Sequence, residues 1–477
     1  MNGNLWKLIL PITFQQFMLA LVSASDALML GRLNQDSLSA VSLASQVAFV
    51  FNLFMTALVI GTNMFVAQYW GKQDRERIRE VMAFVMRTTF LVAVLFCAGA
   101  VAAPGALMRI FTNDAELVRL GSQYLRVVGS SYLLSGISQI YLCMLRNSGH
   151  AGKSMMISSV TVVLNILLNW VLIFGIGRAP AMGVSGAALA TVVSNGVGFL
   201  WAVLESFRKD GLRPRFSPVG KTKQPEGSFP ADHFPADHFP ADHFPAGLYP
   251  AGPGGWRKLR ISQLEKRFWH YVAPVLANEL VWGGGFTMYS VILGHLGTDA
   301  VAANSIANIA KNLVVCFCLG LGNAGSIVVG NSLGAGKLEQ ARQEGAHLCK
   351  LAMVSGIATG GLLLVLSPAI LSFASISGQA REYLKAMLVI CSYYLVGKSV
   401  NSMTIGGIFC AGGDSRFGLI CDTVTLWCIT VPLGAVAAFV FRAPVLVVYF
   451  LLNLDEIVKL PAMYRHYKKY KWVRNLT

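Results

Sequence analysis

The sequence predicts an all-α membrane protein of twelve transmembrane helices arranged as two six-helix lobes related by an internal repeat. Three observations carry that expectation. The 477-residue chain is 55% hydrophobic and 13% charged, with mean hydropathy +0.56, which is more apolar surface than a water-soluble core can bury. Apolar runs of about 20 residues or more, the length that crosses about 30 Å of hydrocarbon as a helix, recur along nearly the whole chain. Position n also matches position n+263 without a gap: Trp6 with Trp269, Pro11 with Pro274, Gly31 with Gly294, Asp36 with Asp299, Gly71 with Gly334 and Arg79 with Arg342. Duplicated membrane units are the usual architecture of secondary transporters, which bind substrate between the repeats.

The expected spans are 5–30, 38–70, 81–108, 119–145, 153–176 and 183–207, then 267–293, 301–333, 346–373, 382–410, 416–440 and 443–466. They divide the chain into a first lobe at 1–207, a linker at 208–264 and a second lobe at 265–477. The first run is too long for a signal peptide and lacks an A-x-A-like site, so it is expected to stay as helix 1. Basic residues crowd Lys72–Arg79, Arg146–Lys153, Arg208–Lys223, Arg257–Arg267, Lys337–Arg342 and Tyr464–Arg474, while the alternate loops hold scattered arginines such as Arg32, Arg178 and Arg442. The positive-inside rule then places both termini and the linker in the cytoplasm, with the chain in the cell's inner or plasma membrane. The net charge of +16 sets orientation and calls for no nucleic-acid partner. The nine cysteines all fall in expected spans without a CxxC, so they read as small apolar packing residues.

Between Phe207 and Trp256 the apolar pattern collapses into Pro, Gly and charge, marking the boundary between lobes. FPADH occurs there three times in tandem, at 229–233, 234–238 and 239–243. His233, His238 and His243 beside Asp232, Asp237 and Asp242 have metal-ligand chemistry but no packed scaffold to preorganise it, so the repeat reads as low-complexity expansion. Deleting 228–246 is expected to leave transport intact; loss of activity at normal expression would refute this.

An ionisable side chain inside a span costs about 3 kcal/mol, so each one is a functional candidate. Asp26 lies late in helix 1, with no Lys or Arg near it in the same half-membrane. Gln16, Ser23 and Asp26 share a face of helix 1, and Thr161, Asn165 and Asn169 form an i,i+4 stripe on helix 5. Helix 2 carries Ser45, Asn52, Thr56 and Asn63 at intervals of seven, four and seven. Together these stripes suggest a hydrated cavity in the first lobe, although Ser, Thr and Asn also serve as interhelical glue.

The second lobe presents Glu279 in helix 7, Asn304, Asn308, Lys311 and Asn312 in helix 8, Lys398 in helix 10 and Asp422 in helix 11. Lys311 and Lys398 either meet an anionic group or close structural ion pairs, one of them with Glu279. Asp422 reads as a structural cap near Arg416, and Asp455, Glu456 and Lys459 as a local i,i+3/i,i+4 charge set. Tyr132, Tyr141 and Trp282 complete the candidate lining of a substrate cavity with Gln16, Asn52, Glu279, Asn308, Lys311 and Lys398.

Several segments resemble the multidrug and toxic compound extrusion (MATE) family. They are Pro11 to Gly31, with Asp26 in Asp-Ala-Leu-Met-Leu-Gly; Leu145-Arg146-Asn147-Ser148-Gly149; Leu164-Asn165-Ile166-Leu167-Leu168-Asn169; and Met182 to Thr191. Ala411-Gly412-Gly413-Asp414-Ser415 echoes the first half. The resemblance implies an antiporter whose two lobes face each other across a V-shaped cleft and export organic compounds against entry of Na+ or H+. It puts Asp26 at the family's cation- or proton-binding aspartate, and Asn165, Asn169 and Thr191 at its first-lobe oxygen ligands. Asn169 stands where some members carry an aspartate, so the site has one carboxylate fewer. Trp282 stands where one branch has a glutamate, with Glu279 three residues earlier, and Lys398 lies near a position acidic in that branch.

The expected function is therefore export of amphipathic, chiefly cationic, organic compounds by a monomer. The coupling ion is H+ or Na+, no other cofactor or structural metal is expected, and Na+ would bind Asp26 transiently. The alternative is a related exporter or flippase for an anionic metabolite or lipid-linked substrate. An embedded enzyme is disfavoured because no HExxH, GxSxG or suitably spaced catalytic carboxylates appear.

Overall fold

A computed structural model describes residues 2–33, 35–175, 180–207, 255–374 and 376–477. The linker repeat and most of the linker lie outside the described residues. Every regular element among the described residues is helical. The first half contains α1 (Asn2–Gly31), α2 (Gln35–Gly71), α3 (Arg75–Ala102), α4, α5 (Ala151–Phe174) and α6 (Gly183–Ser206). Of these, α4 is a pair of helices, Ala115–Val128 and Ser131–Asn147, bent by 48°. The second half contains α7 (Gly255–Gly294), α8 (Thr298–Gly334), α9 (Leu338–Phe373), α10 (Gly378–Asn401, continuing as Ser402–Phe409), α11 (Ser415–Val440) and α12 (Val445–Leu452, then Asp455–Val458 and Leu460–Tyr467). Among the described residues eight helices, or nine counting the bent pair as one, are long and apolar enough to cross a membrane.

Local chemistry sets the helix boundaries. Asp74 caps α3 by accepting from the Arg77 N–H at 3.0 Å, and Asp114 caps α4 by accepting from the N–H groups of Glu116 and Leu117 at 2.9 and 3.0 Å. Ser377 does the same for α10 through the Ala380 N–H at 3.1 Å. Pro11 and Pro274 sit inside α1 and α7 at matching positions of the repeat, a placement membrane helices tolerate because neighbouring groups re-satisfy the freed carbonyls. Large apolar side chains such as Leu91, Leu95, Val365 and Val440 are exposed on the outside of the bundle, the surface a bilayer covers and water does not.

The two halves meet at the end of the bundle that carries the basic loops. A Cβ on Gly71 would collide with the Asn331 carbonyl, and one on Gly334 with the Gln68 carbonyl, so glycine lets α2 and α8 touch backbone to backbone. Phe65 of α2 stacks on Phe268 of α7 with centroids 5.6 Å apart. Ile9 and Ile12 of α1 share an apolar cluster with Leu321, Ala324 and Ile327 of α8. The segment after α12 closes this end: Trp472 is fully buried, and the Leu476 N–H donates to Gln68 Oε1 at 2.6 Å. Gln68 Nε2 in turn donates to the Ala411 carbonyl at 2.7 Å and the Arg474 carbonyl at 3.2 Å. One buried amide of α2 thus ties the first half to two segments of the second. Gln68→Ala leaves those groups without partners and is expected to cost about 1–3 kcal/mol; an unchanged thermal transition would count against the tie.

Candidate functional site

In the first half one hydrogen-bonded chain links three helices. Asn169 Nδ2 on α5 donates to Asp26 Oδ1 on α1 at 2.6 Å and to Asn165 Oδ1 at 3.2 Å. Asn165 Nδ2 donates to Thr191 Oγ1 at 3.4 Å and Ser194 Oγ at 3.3 Å, both on α6. The i,i+4 spacing of Asn165 and Asn169 points both amides at the gap between α1 and α6. Asp26, Asn165, Asn169 and Thr191 therefore share one site, and Ser194 joins them. Sequence reading omitted Ser194, although its position three residues after Thr191 on one helical face was the available signal. Asn165 and Asn169 are buried and Asp26 is half-buried. Asn169 Oδ1 is sealed from solvent without a hydrogen-bond partner. A carboxylate beside an unpaired amide oxygen is a donor set that suits a proton or a small hard cation. Among the described residues no three His, Cys, Asp or Glu side chains gather as a metal cluster.

The other first-half candidates disperse. Gln16 is half-buried, and the buried polar contact of α1 belongs to Gln15 instead. Gln15 Nε2 donates to Ser158 Oγ at 2.8 Å, and its Oε1 accepts from Ser154 Oγ at 3.2 Å and Arg146 Nη1 at 3.3 Å. The helix 2 stripe splits: Asn52 and Thr56 are exposed, whereas Asn63 is buried and accepts from Asn147 Nδ2 at 2.5 Å. Asn52 and Asn63 are eleven residues apart and lie within about 20° of one face of a straight helix, so the packing at each depth along α2, and not helix rotation, separates them. Tyr132 and Tyr141 are buried in an apolar cluster drawn mostly from the first half. The Tyr132 ring packs on Phe51 at 4.9 Å and its hydroxyl has no hydrogen-bond partner.

The second half concentrates charge. Lys398 Nζ of α10 pairs with Glu456 Oε1 of α12 at 3.1 Å, and Lys459 Nζ pairs with Asp422 Oδ1 of α11 at 2.8 Å and with Glu456 Oε2 at 3.3 Å. Asp455 Oδ2 stands 3.9 Å from Lys459 Nζ, and Asn401 Nδ2 donates to Glu456 Oε2 at 2.5 Å. The partner of Lys398 is thus Glu456 and not Glu279, and Asp422 answers Lys459 rather than capping near Arg416. Asp455, Glu456 and Lys459 form the local i,i+3/i,i+4 charge set that their spacing suggests, and it is buried, at 2%, 0% and 3% exposed. The break between Leu452 and Asp455 turns this stretch inward, and Gly397 packs on the Glu456 backbone.

Lys398 Nζ also lies 5.3 Å from the centroid of the half-buried Trp282 ring, and Lys311 Nζ 4.8 Å from that of Tyr394. Asn308 Nδ2 donates to Asn304 Oδ1 at 3.1 Å. Glu279 is half-buried on α7. Tyr289 occupies the repeat position that matches Asp26, with its hydroxyl 2.8 Å from Thr430 Oγ1, so the carboxylate site is not duplicated.

Known proteins of similar sequence and shape agree with this architecture. The chain is 22% identical over 468 residues to the probable multidrug resistance protein NorM of Thermotoga maritima, covering 94% of this chain and 92% of that protein. It is also 22% identical over 460 residues to multidrug and toxin extrusion protein 1 of Xenopus tropicalis, covering 94% of this chain and 70% of the other. A crystal structure of MATE in complex with MaD3S superposes with TM-score 0.80 at 19% identity, over 98% of this chain and 96% of that one. A transporter of the MOP superfamily from Pyrococcus furiosus, described as having a binding pocket of reversed polarity, superposes with TM-score 0.79 at 19% identity over the same shares. The MatE family pattern matches residues 11–171 and 274–436, one stretch in each copy of the repeat. With both halves matched and the fold shared, this chain belongs to the MatE family, the multidrug and toxic compound extrusion transporters.

Proposed function

We propose that this protein exports amphipathic organic compounds, cationic ones first, in exchange for inward H+ or Na+, by alternating access with Asp26 as the coupling site. The observation that carries the reading is the chain from Asp26 through Asn169 and Asn165 to Thr191. A proton or Na+ arriving at the Asp26 carboxylate competes with the Asn169 amide, so occupancy changes how α1 is held against α5. Release of that bond is the local event that biases two rocking halves, 1–207 and 265–477. If the basic end faces the cytoplasm, the arrangement here is shut inside. Each positive charge moving inward supplies about 2.3 kcal/mol per 100 mV, enough to bias a two-state transporter more than tenfold.

A second reading, export of an anionic compound, draws support from Lys311, which has no salt-bridge partner among the described residues. Efflux from proteoliposomes tests both readings, with Na+ and pH gradients imposed separately on cationic, neutral and anionic fluorophores. Cationic dye leaving on either gradient supports the first, and anionic dye alone supports the second. No movement on either gradient sinks ion coupling.

A further inference from the structure

At the basic end, between the two halves, lies a cavity of about 640 Å³. Arg146 and Asn147 reach it from the end of α4, and Asn331 and Glu344 from α8 and α9. Three of these side chains hold sealed polar atoms without partners: Arg146 Nε, Asn147 Oδ1 and Asn331 Oδ1. Arg146 spends one guanidinium nitrogen on Gln15 Oε1 at 3.3 Å. No carboxylate lies within ion-pair distance of it among the described residues. Buried polar groups are almost always paired, so three orphans on side chains that line one cavity point to a missing partner, which they meet by turning towards it. Glu344 is already engaged, accepting from Ser332 Oγ at 2.6 Å and Gln340 Nε2 at 2.8 Å. Lys7 and His347 also line it, and most of the remaining wall is apolar, from Trp70, Leu8 and Leu348.

We propose that this cavity binds an amphipathic organic acid bearing a hydroxyl group. The carboxylate supplies the acceptors that a guanidinium fork takes in pairs. The hydroxyl supplies the donor that the Asn331 or Asn147 oxygen lacks, and the apolar body fills the space against Trp70. Because the wall comes from both halves, an occupied cavity holds the basic end closed and shifts the protein towards the arrangement seen here. An acid of this class acting from that side slows export without touching Asp26. The segment Leu145-Arg146-Asn147-Ser148-Gly149 thereby gains a ligand-binding role that the coupling site does not use.

Isothermal titration of the full-length protein in nanodiscs tests this, with salicylate as probe, benzoate as the analogue lacking the hydroxyl and methyl salicylate as the analogue lacking the charge. Saturable salicylate binding is expected, with benzoate weaker and methyl salicylate absent. Arg146→Gln should weaken binding by roughly 10- to 100-fold, and Asn331→Ala by roughly 2- to 10-fold. Arg146→Lys, which keeps the charge but not the fork, should fall between. Asp26→Asn should bind as the native protein does, which separates this site from the coupling site. Bound salicylate should also raise the thermal transition. If Arg146→Gln does not yield a monodisperse protein, Asn331→Ala and Arg146→Lys decide. Absence of salicylate binding, or equal binding by the native protein and the folded variants, overturns the proposal.

Discussion

Asp26→Asn is expected to reduce gradient-driven efflux by at least about tenfold while leaving the fold intact, since the lost driving force is of that size. Asparagine keeps the shape of the side chain, and its oxygen still accepts from Asn169 Nδ2, which now stands 2.6 Å from Asp26 Oδ1. What disappears is the negative charge that takes up a proton or Na+. Size-exclusion behaviour and the thermal transition should therefore match the native protein, while dye efflux on an imposed Na+ or pH gradient falls to that of empty vesicles. A variant that still exports on the gradient at the native rate removes Asp26 from the coupling role and, with it, the mechanism proposed for this chain.

The largest stability effect is expected at Glu456, a fully buried carboxylate that meets Lys398, Lys459 and Asn401. Removing one partner from a buried ionic network leaves uncompensated charge and costs about 3–5 kcal/mol. Glu456→Gln should thus lower the thermal transition sharply. Adding Lys398→Gln should recover part of the loss, because the stranded ammonium goes while Lys459 keeps Asp422 at 2.8 Å. Equal stability of the single variant and the native protein would mean that the network carries no such weight.

How far the site was legible depended on geometry within one helix. Asn165 and Asn169 could be read because i,i+4 spacing and family motifs both mark them, whereas Thr191 rested on the family motif alone. Gln15 was missed in favour of Gln16 because one residue is about 100° of helix rotation, and only packing against Ser154 and Ser158 tells which amide is buried. Asn52 and Asn63 share a stripe on paper, yet Asn52 is exposed and Asn63 is buried between α2 and α4. Glu456 and Lys459 could be read as local partners three residues apart, but their spacing says nothing of burial. Their burial follows from the break in α12 and from α10 lying across it, neither of which leaves a trace in local spacing.

Composition, long apolar runs and the 263-residue offset determined the all-α membrane class and the duplication, since helix length and hydropathy are properties of single segments. Which half-helices touch was decided by tertiary structure alone. The meeting of Gly71 with Asn331 and of Gln68 with Leu476, the pairing of Lys398 with Glu456, and the cavity behind Arg146 all join residues far apart in the chain. The physical reason is that a buried polar or charged group takes whichever partner the packing of other helices brings to it, and a single sequence holds no record of that approach.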